Sequence, residues 1–264
     1  MKLNKTILLS FDIEEFDLPE EYGNSVSDES KFEISRLGTE RILEVVNRQA
    51  VKATFFVTSN FAEKYPELIK NMVEAGHEVA SHGVSHSTFE VSDLKKSRRV
   101  LEDLTGKKIV GFRMARLAPV EKSEISDATY RYESSLNPVF LPGRYNNFRS
   151  PLLPFKEDCG LLQYPISAVP GIRFPLFWLS FKNLPFKFYL LLAKYTLNKT
   201  DYFNMYSHPW EYNEESKSEK YGIPAYITKH AGIPMQTRLE NLIIELKKVG
   251  TFDTFAESLP EQNI

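Results

Sequence analysis

Two of the chain's five histidines, His82 and His86, stand four residues apart in the stretch SHGVSH. If this stretch forms a helical turn, both imidazoles lie on one side of it and can bind one metal ion. The pair alone is a weak indication, because most pairs at this spacing are surface accidents. A catalytic metal site needs a third ligand, and hydrolysis needs acid and base groups beside it.

Acidic residues end an apolar stretch near the N-terminus, SFDIEEF at residues 10–16. Side chains alternate along a strand, so Asp12 and Glu14 share one face and the apolar residues between them point the other way. Two acids on one face repel each other unless a cation or a proton lies between them. Together with the two histidines, a carboxylate gives a ligand set suited to catalytic Zn²⁺ with an open position for water. The simpler alternative is a solvated acidic turn.

Two further polar residues stand near the ends of apolar stretches later in the chain. A lone histidine is usually structural, but His208 ends YFNMYSH and precedes Pro209, and this position at a third strand end strengthens the case for a proton donor or acceptor. Arg113, in GFRMAR at residues 111–116, can pair with a carboxylate and hold it ionised. Without the other motifs, Arg113 would be interpreted as a surface cation.

The elements that must position these residues follow from the hydrophobic pattern. Apolar runs typical of buried strands cover residues 6–13, 52–59, 77–82, 108–114, 131–136, 161–167, 202–208 and 250–255. Helical patterns cover residues 36–49, 61–76, 92–106 and 235–249. In the first half, strand and helix alternate, which predicts a parallel sheet with helices outside. We therefore expect a single α/β domain over residues 1–264, an irregular (β/α) barrel of about seven parallel strands with its chemistry at the strand ends.

Composition limits the partners and the compartment. A net charge of −2 argues against a nucleic-acid partner. Cys159 is the only cysteine, so no intrachain disulfide can form, which fits a reducing compartment. The apolar run at the N-terminus is too short for a signal-peptide core, and no segment reaches the length of a membrane span. These features predict a cytoplasmic protein, at most located at the inner face of the membrane.

Taken in order, the motifs SFDIEE, SHGVSH, GFR, YRYESSLNP and YSHPWE resemble the polysaccharide deacetylase family, the chitooligosaccharide-deacetylase homology domain of the carbohydrate esterase type. The resemblance covers roughly residues 5–212 and implies an irregular barrel that removes N-acetyl groups from amino sugars with one divalent metal ion, usually Zn²⁺. The roles it implies are general base for Asp12, general acid for His208, orientation of Asp12 for Arg113, and metal ligands for Glu14, His82 and His86.

The chain departs from the family pattern at three points. The family usually has an aspartate where Glu14 stands, which makes Glu15 a rival ligand. A proline commonly follows the motif arginine within two residues, but here the next proline is Pro119, so the shape of this loop is open. Where the family often has an aspartate that tunes the acid histidine, this chain offers Glu133.

The expected function is metal-dependent deacetylation of an N-acetylated sugar, oligosaccharide or lipid-linked glycan precursor. Two alternatives are a non-catalytic glycan-binding protein on the same scaffold and a hydrolase of a non-sugar amide or cyclic imide, since fold does not fix substrate. The aromatic segment 174–195 is expected to pack beside the site. A second interpretation is peripheral membrane contact, with Phe174, Phe177, Trp178 and Leu179 at the bilayer and Lys182 and Lys187 at the head groups.

Overall fold

The computed structural model describes residues 5–143 and 145–260, so both ends of the expected domain lie outside the described residues. The strands in chain order are β1 (Thr6–Ile13), β2 (Thr54–Val57), β3 (Glu78–Ser81), β4 (Gly111–Phe112), β5 (Tyr132–Glu133), β6 (Phe140–Leu141), β7 (Tyr145–Asn146), β8 (Phe155–Lys156), β9 (Leu162–Gln163), β10 (Tyr202–Ser207) and β11 (Thr251–Asp253). The α-helices are α1 (Asp28–Arg48), α2 (Ser59–Lys64), α3 (Pro66–Glu74), α4 (Ser92–Thr105), α5 (Lys122–Asp127), α6 (Trp178–Asn183), α7 (Phe186–Thr200), α8 (Ala225–Thr228) and α9 (Ile233–Leu246).

A curved sheet in the order β10-β1-β2-β3-β4-β5-β9-β8 forms the barrel, and β11 pairs with the first half of β1. Neighbouring strands are parallel except β8, which runs antiparallel to β9. Two hydrogen bonds close the gap between the chain after β9 and β10, because Ser167 N donates to Asn204 O and Asn204 N donates to Ser167 Oγ. The predicted (β/α) barrel of parallel strands is confirmed.

Alternation along the strands divides the apolar side chains into two layers. One face of β1, including Phe11 and Ile13, packs against the surrounding helices in the main core. The opposite faces fill the barrel with a smaller, largely aromatic cluster of Leu8, Phe56, Ala80, Tyr132, Tyr164, Tyr202 and Phe255. This cluster, named here the barrel floor, removes water from the interior below the site.

Local chemistry explains where several elements begin and break. Ser27 caps α1 by accepting a hydrogen bond from Ser30 N, so this helix begins well before the predicted residue 36. The helical pattern over 61–76 divides at Pro66, which cannot donate a backbone hydrogen bond and begins α3. The hairpin of β6 and β7 lies outside the main sheet.

The His82–His86 stretch is a loop, so the predicted helical turn is wrong. Gly83 has a φ of +85°, which L side chains rarely adopt and which bends the chain directly after His82. The bend is held because two amides at the start of α2, Ser59 N and Asn60 N, donate to the carbonyls of Gly83 and Val84 at 3.0 Å each.

Segment 174–195 packs beside the site, and its proposed membrane-facing set is wrong in part. Phe177 and Lys182 are buried, at 8% and 0% exposure, because both pack towards β10 and the loop after it. The exposed apolar side chains of this region lie instead on α7, at Phe188 and Leu191. Among the described residues, the helices are too short or too polar to cross a membrane.

Candidate functional site

The parallel register places the predicted site residues at one edge of the barrel. Phe11 pairs with Ser207, Val57 with Ser81, and Ser81 with Phe112, so β10, β1, β2, β3 and β4 end at nearly the same level. The residues that follow or end these strands therefore meet there. They include all six predicted site residues: Asp12, Glu14, His82, His86, Arg113 and His208.

Glu14, His82 and His86 form a buried cluster that could hold a metal ion, with their candidate ligand atoms all within 4.8 Å of one another. Nε2 of each histidine lies 3.1 Å from Oε2 of Glu14. Three protein ligands with space for water beside them suit a catalytic divalent cation. The structure thus brings together the ligand set that the resemblance implied.

The second nitrogen of each imidazole is already engaged, which tests whether the cluster fits a cation. Nδ1 of His82 lies 2.9 Å from the carbonyl oxygen of Arg113, which can only accept, so this nitrogen carries the proton. Nδ1 of His86 lies 2.7 Å from Oδ1 of Asp17. With the proton on Nδ1, a neutral imidazole at each position would direct the lone pair of Nε2 towards the Glu14 carboxylate, which fits a metal ion bound at Nε2.

Asp12 is held ionised by a fully buried arginine. Nη1 of Arg113 donates to Oδ1 of Asp12 at 2.6 Å and to Ser10 Oγ at 3.0 Å. The guanidinium rests 4.0 Å above the ring of Phe56, on the barrel floor. Burial opposes ionisation of Asp12, but Arg113 and two histidines outweigh it and hold the pKa of this carboxyl below its ordinary value.

His208 is oriented by its own turn. The chain HPWE forms a short 3-10 turn with Pro209 at its start, and Glu211 reaches back to accept from His208 N at 2.9 Å. The same oxygen lies 3.0 Å from Nδ1 of His208, which leaves Nε2 for the site. Burial opposes protonation, but the hydrogen bond to Glu211 and the charges of Glu14, Glu211 and Asp12 raise the pKa of His208.

A buried lysine completes this turn. Lys182 and Glu211 are both 0% exposed in their side chains and form an ion pair at 2.9 Å. Lys182 Nζ also donates to the carbonyl of Ile227 at 2.7 Å and lies 4.4 Å from the centroid of the Trp210 ring. The Trp210 ring stacks on His208, with centroids 5.3 Å apart.

A cleft opens above these groups and combines a charged base with apolar walls. Asp12, Glu14, His86 and His208 line it together with Leu18, Leu117, Leu141, Tyr145, Phe177, Trp178, Tyr206 and Trp210. Charged groups at the base and aromatic rings at the sides are suited to a ligand with a polar reacting bond and apolar ring faces.

The structure answers two questions that the sequence left open, the rival ligand Glu15 and the role of Glu133. Glu15 turns away from the ligand cluster, since its Oε2 accepts from Thr58 Oγ1 at 3.1 Å. Glu133 does not contact His208, because it is held by Lys122 and Gln163, each at 2.6 Å. The carboxylate beside His208 is Glu211 instead.

Sequence reasoning missed Asp17, Arg116, Lys182 and Glu211 as members of the site. Glu211 had a readable signal, because a glutamate three residues after a helix cap is the spacing of a capping box. Asp17, Arg116 and Lys182 had none, since each reaches the site through a long-range contact.

A curved parallel sheet with a polar cleft at the carboxyl ends of its strands defines the class, the (β/α) barrel proteins. A family model for polysaccharide deacetylase matches residues 3–133. Over these residues, about half of its length, the chain belongs to the polysaccharide deacetylase family.

Individual curated relatives are similar in sequence to this chain over shorter stretches. A peptidoglycan deacetylase from Helicobacter pylori is 31% identical over 121 residues, or 41% of each chain. The first curated relatives are matched over only 26% to 41% of their own length. A solved structure of a probable polysaccharide deacetylase from Pseudomonas aeruginosa has a TM-score of 0.67 at 16% identity, covering 97% of this chain and 89% of that one. A CE4 family pseudoenzyme from Bacillus anthracis has a TM-score of 0.54 at 15% identity, covering 98% and 67%.

Proposed function

We propose that this protein is a metal-dependent hydrolase that removes the acetyl group from an N-acetylated amino sugar within a glycan or glycan precursor. The observation that carries the proposal is the convergence of Glu14, His82 and His86 beside Asp12, whose pKa is lowered by Arg113, and His208, whose pKa is raised by Glu211. Family membership and the deacetylase relatives support the same reaction.

The site residues have separate roles in the proposed amide hydrolysis. Glu14, His82 and His86 would hold one divalent cation, for which we propose Zn²⁺, and such an ion supplies Lewis acidity for the amide carbonyl and for water. Asp12, kept ionised by Arg113, accepts the proton of the attacking water. His208, kept protonated by Glu211, donates a proton to the departing amine, which is otherwise a poor leaving group.

Acetate release tests the proposal. The purified protein, loaded with Zn²⁺, Co²⁺ or Mn²⁺ in turn, is assayed against N-acetylglucosamine oligomers, peptidoglycan fragments and lipid-linked N-acetyl sugars. We expect release with at least one metal and one class of glycan, and loss of release with a chelator. Asp12→Asn should lower the rate by roughly 10²–10⁴-fold without loss of bound metal, since the general base is removed and the ligands stay. Asp103→Asn, an exposed aspartate on α4, is the matched control.

The alternatives predict different results in the same assay. Glycan binding that is unchanged by metal removal, with no acetate released by the metal-loaded wild type, would favour a binding protein. Turnover of cyclic imides with none of N-acetyl sugars would favour the imide hydrolase. We also propose a cytoplasmic location, which cell fractionation can test.

A further inference from the structure

Two arginines from one short segment neutralise two carboxylates around the candidate metal site. Arg113 pairs with Asp12 at 2.6 Å, and Arg116 pairs with Asp17 at 3.0 Å. Asp12 lies near the end of β1 and Asp17 follows this strand, while both arginines follow β4. Among the ion pairs described for Glu14, the partners are the two histidines. Of the three carboxylates Asp12, Glu14 and Asp17, Glu14 is therefore the one that has no arginine partner among the described ion pairs.

Asp17 connects Arg116 to a candidate metal ligand. One oxygen of Asp17 contacts Nδ1 of His86 at 2.7 Å, and the other accepts from Ser87 Oγ at 2.9 Å and from Arg116 Nη2. The side chain of Asp17 is almost fully buried, so it can be held in this orientation.

Arg116 reaches Asp17 through an unusual backbone. Arg116 and Leu117 have φ values of +56° and +53°, both in the left-handed region that residues other than glycine rarely adopt. The contacts of the arginine hold this turn: Nε donates to Glu21 at 2.6 Å and Nη1 donates to the carbonyl of His86 at 2.8 Å. Arg116 thus binds the backbone of His86 directly and its imidazole through Asp17.

We propose that Arg116 is a positioning residue of the metal site. It fixes Asp17 as the hydrogen-bond acceptor of His86 Nδ1, which keeps Nε2 of His86 directed at the ion, and it cancels the charge that would otherwise let Asp17 compete as a ligand. This role rests on the proposed function of Glu14, His82 and His86 as the metal site. The loop after Arg113, where the family commonly has proline, would then serve in this chain to place Arg116 beside Asp17.

A double-mutant cycle on Zn²⁺ affinity tests this role without any assay of activity. The dissociation constant is measured by competition with a chromophoric chelator for the wild type, Arg116→Ala, Asp17→Asn and the double variant. Each single variant should weaken Zn²⁺ binding by roughly 10–100-fold, as is usual for partners of metal-binding histidines. Because both substitutions act through His86, the double variant should bind Zn²⁺ almost as tightly as the single variant with the lower affinity. Effects that multiply, or an unchanged affinity of Arg116→Ala, would overturn the proposal.

Two further variants separate positioning from folding. Arg116→Lys keeps the charge but loses the fork that holds Asp17, Glu21 and the His86 carbonyl together, so an intermediate affinity is expected. Arg48→Ala removes another arginine held by two glutamates, on α1, and should leave Zn²⁺ affinity unchanged. If the wild type binds no Zn²⁺, the proposed function itself fails. If the wild type binds Zn²⁺ and Arg116→Ala binds it equally well, only the role of Arg116 fails.

Discussion

At the scale of single residues, the site works by placing opposite charges at fixed distances. Arg113 lowers the pKa of Asp12 and Glu211 raises the pKa of His208, so each shift favours the state that the proposed base and acid need. A pair of titratable groups with pKa values shifted apart is typical of acid–base catalysis. The same pairing makes the pH dependence of the proposed reaction testable.

Glu211→Gln should move the basic limb of the pH profile of kcat/KM to lower pH. Glu211 raises the pKa of His208, so removing its charge lets His208 lose its proton earlier as the pH rises, and activity is lost with that proton. The pH profiles of wild type and variant are compared with that of Glu215→Gln, an exposed glutamate paired with Lys220. A basic limb that stays in place would contradict the role of Glu211.

How far these residues could be predicted depended on their spacing in the chain. Asp12, Glu14, His82, His86, Arg113 and His208 sit in short motifs at strand ends, so pattern and resemblance were enough to select them. Lys182 lies in an aromatic segment, where a charged side chain suggested a surface position. Only the fold buries it against Glu211, which is why its contact could not be predicted.

At the scale of elements, α1 supports the turn that carries His208. Gly38 lies in the middle of α1, and a methyl group added to it would lie 1.9 Å from the carbonyl oxygen of Pro209. The helix and the HPWE turn therefore touch backbone to backbone. This contact explains a glycine at a position where helix propensity alone favours alanine.

Gly38→Ala should destabilise the protein by about 1–3 kcal/mol, although alanine is normally the better helix former by up to ~1 kcal/mol. The added methyl group has to push α1 away from Pro209, and neither backbone can yield cheaply. Urea denaturation measures the free energy of unfolding, with Glu29→Ala on the exposed side of α1 as the control, expected within about 0.5 kcal/mol. A stabilised Gly38→Ala variant would show that the helix can shift freely.

Lys182→Met should destabilise by about 3–5 kcal/mol, because it leaves the charge of Glu211 buried without its cation. Lys194→Met, on the neighbouring α7, breaks a partly exposed ion pair with Glu245 of α9 and should destabilise the protein much less. Thermal or urea unfolding of the two variants gives the comparison. Equal effects would mean that the buried pair has no special importance for stability.

At the scale of the whole molecule, the alternation of strand and helix predicted the barrel because each strand run was apolar and each helix was amphipathic. The short strands β4, β5 and β9 were predicted too long, since only two residues of each form the ladder before the chain turns away. The irregular part of the barrel therefore lies where the sequence pattern is weakest. The loop of His82 and His86 was misjudged for a related reason, because its shape comes from contacts with α2.

The stability of the fold should fall as the pH is lowered from about 6.5 to about 4, and His77 should account for part of this loss. Its Nε2 donates to Asn47 Oδ1, its Nδ1 accepts from Ala53 N, and burial lowers its pKa to about 4. Between these pH values the unfolded chain binds a proton that the folded chain does not, so folding becomes less favourable as the pH falls. The full shift corresponds to roughly 3 kcal/mol.

His77→Gln isolates this contribution. The variant lacks the titrating ring, so its unfolding free energy should fall less steeply than that of the wild type between pH 6.5 and pH 4. Urea denaturation at half-unit steps of pH gives both curves. Parallel curves would contradict the assignment.

The barrel floor beneath Arg113 has a consequence for the order of events in the proposed reaction. Among the described residues, aromatic rings fill the space below Asp12 and Arg113, so the proposed substrate would reach the site through the cleft above it. Acetate formed at the base of this cleft would lie beneath the bound sugar. The deacetylated sugar should therefore leave first and acetate second, and acetate should act as a competitive inhibitor against the substrate.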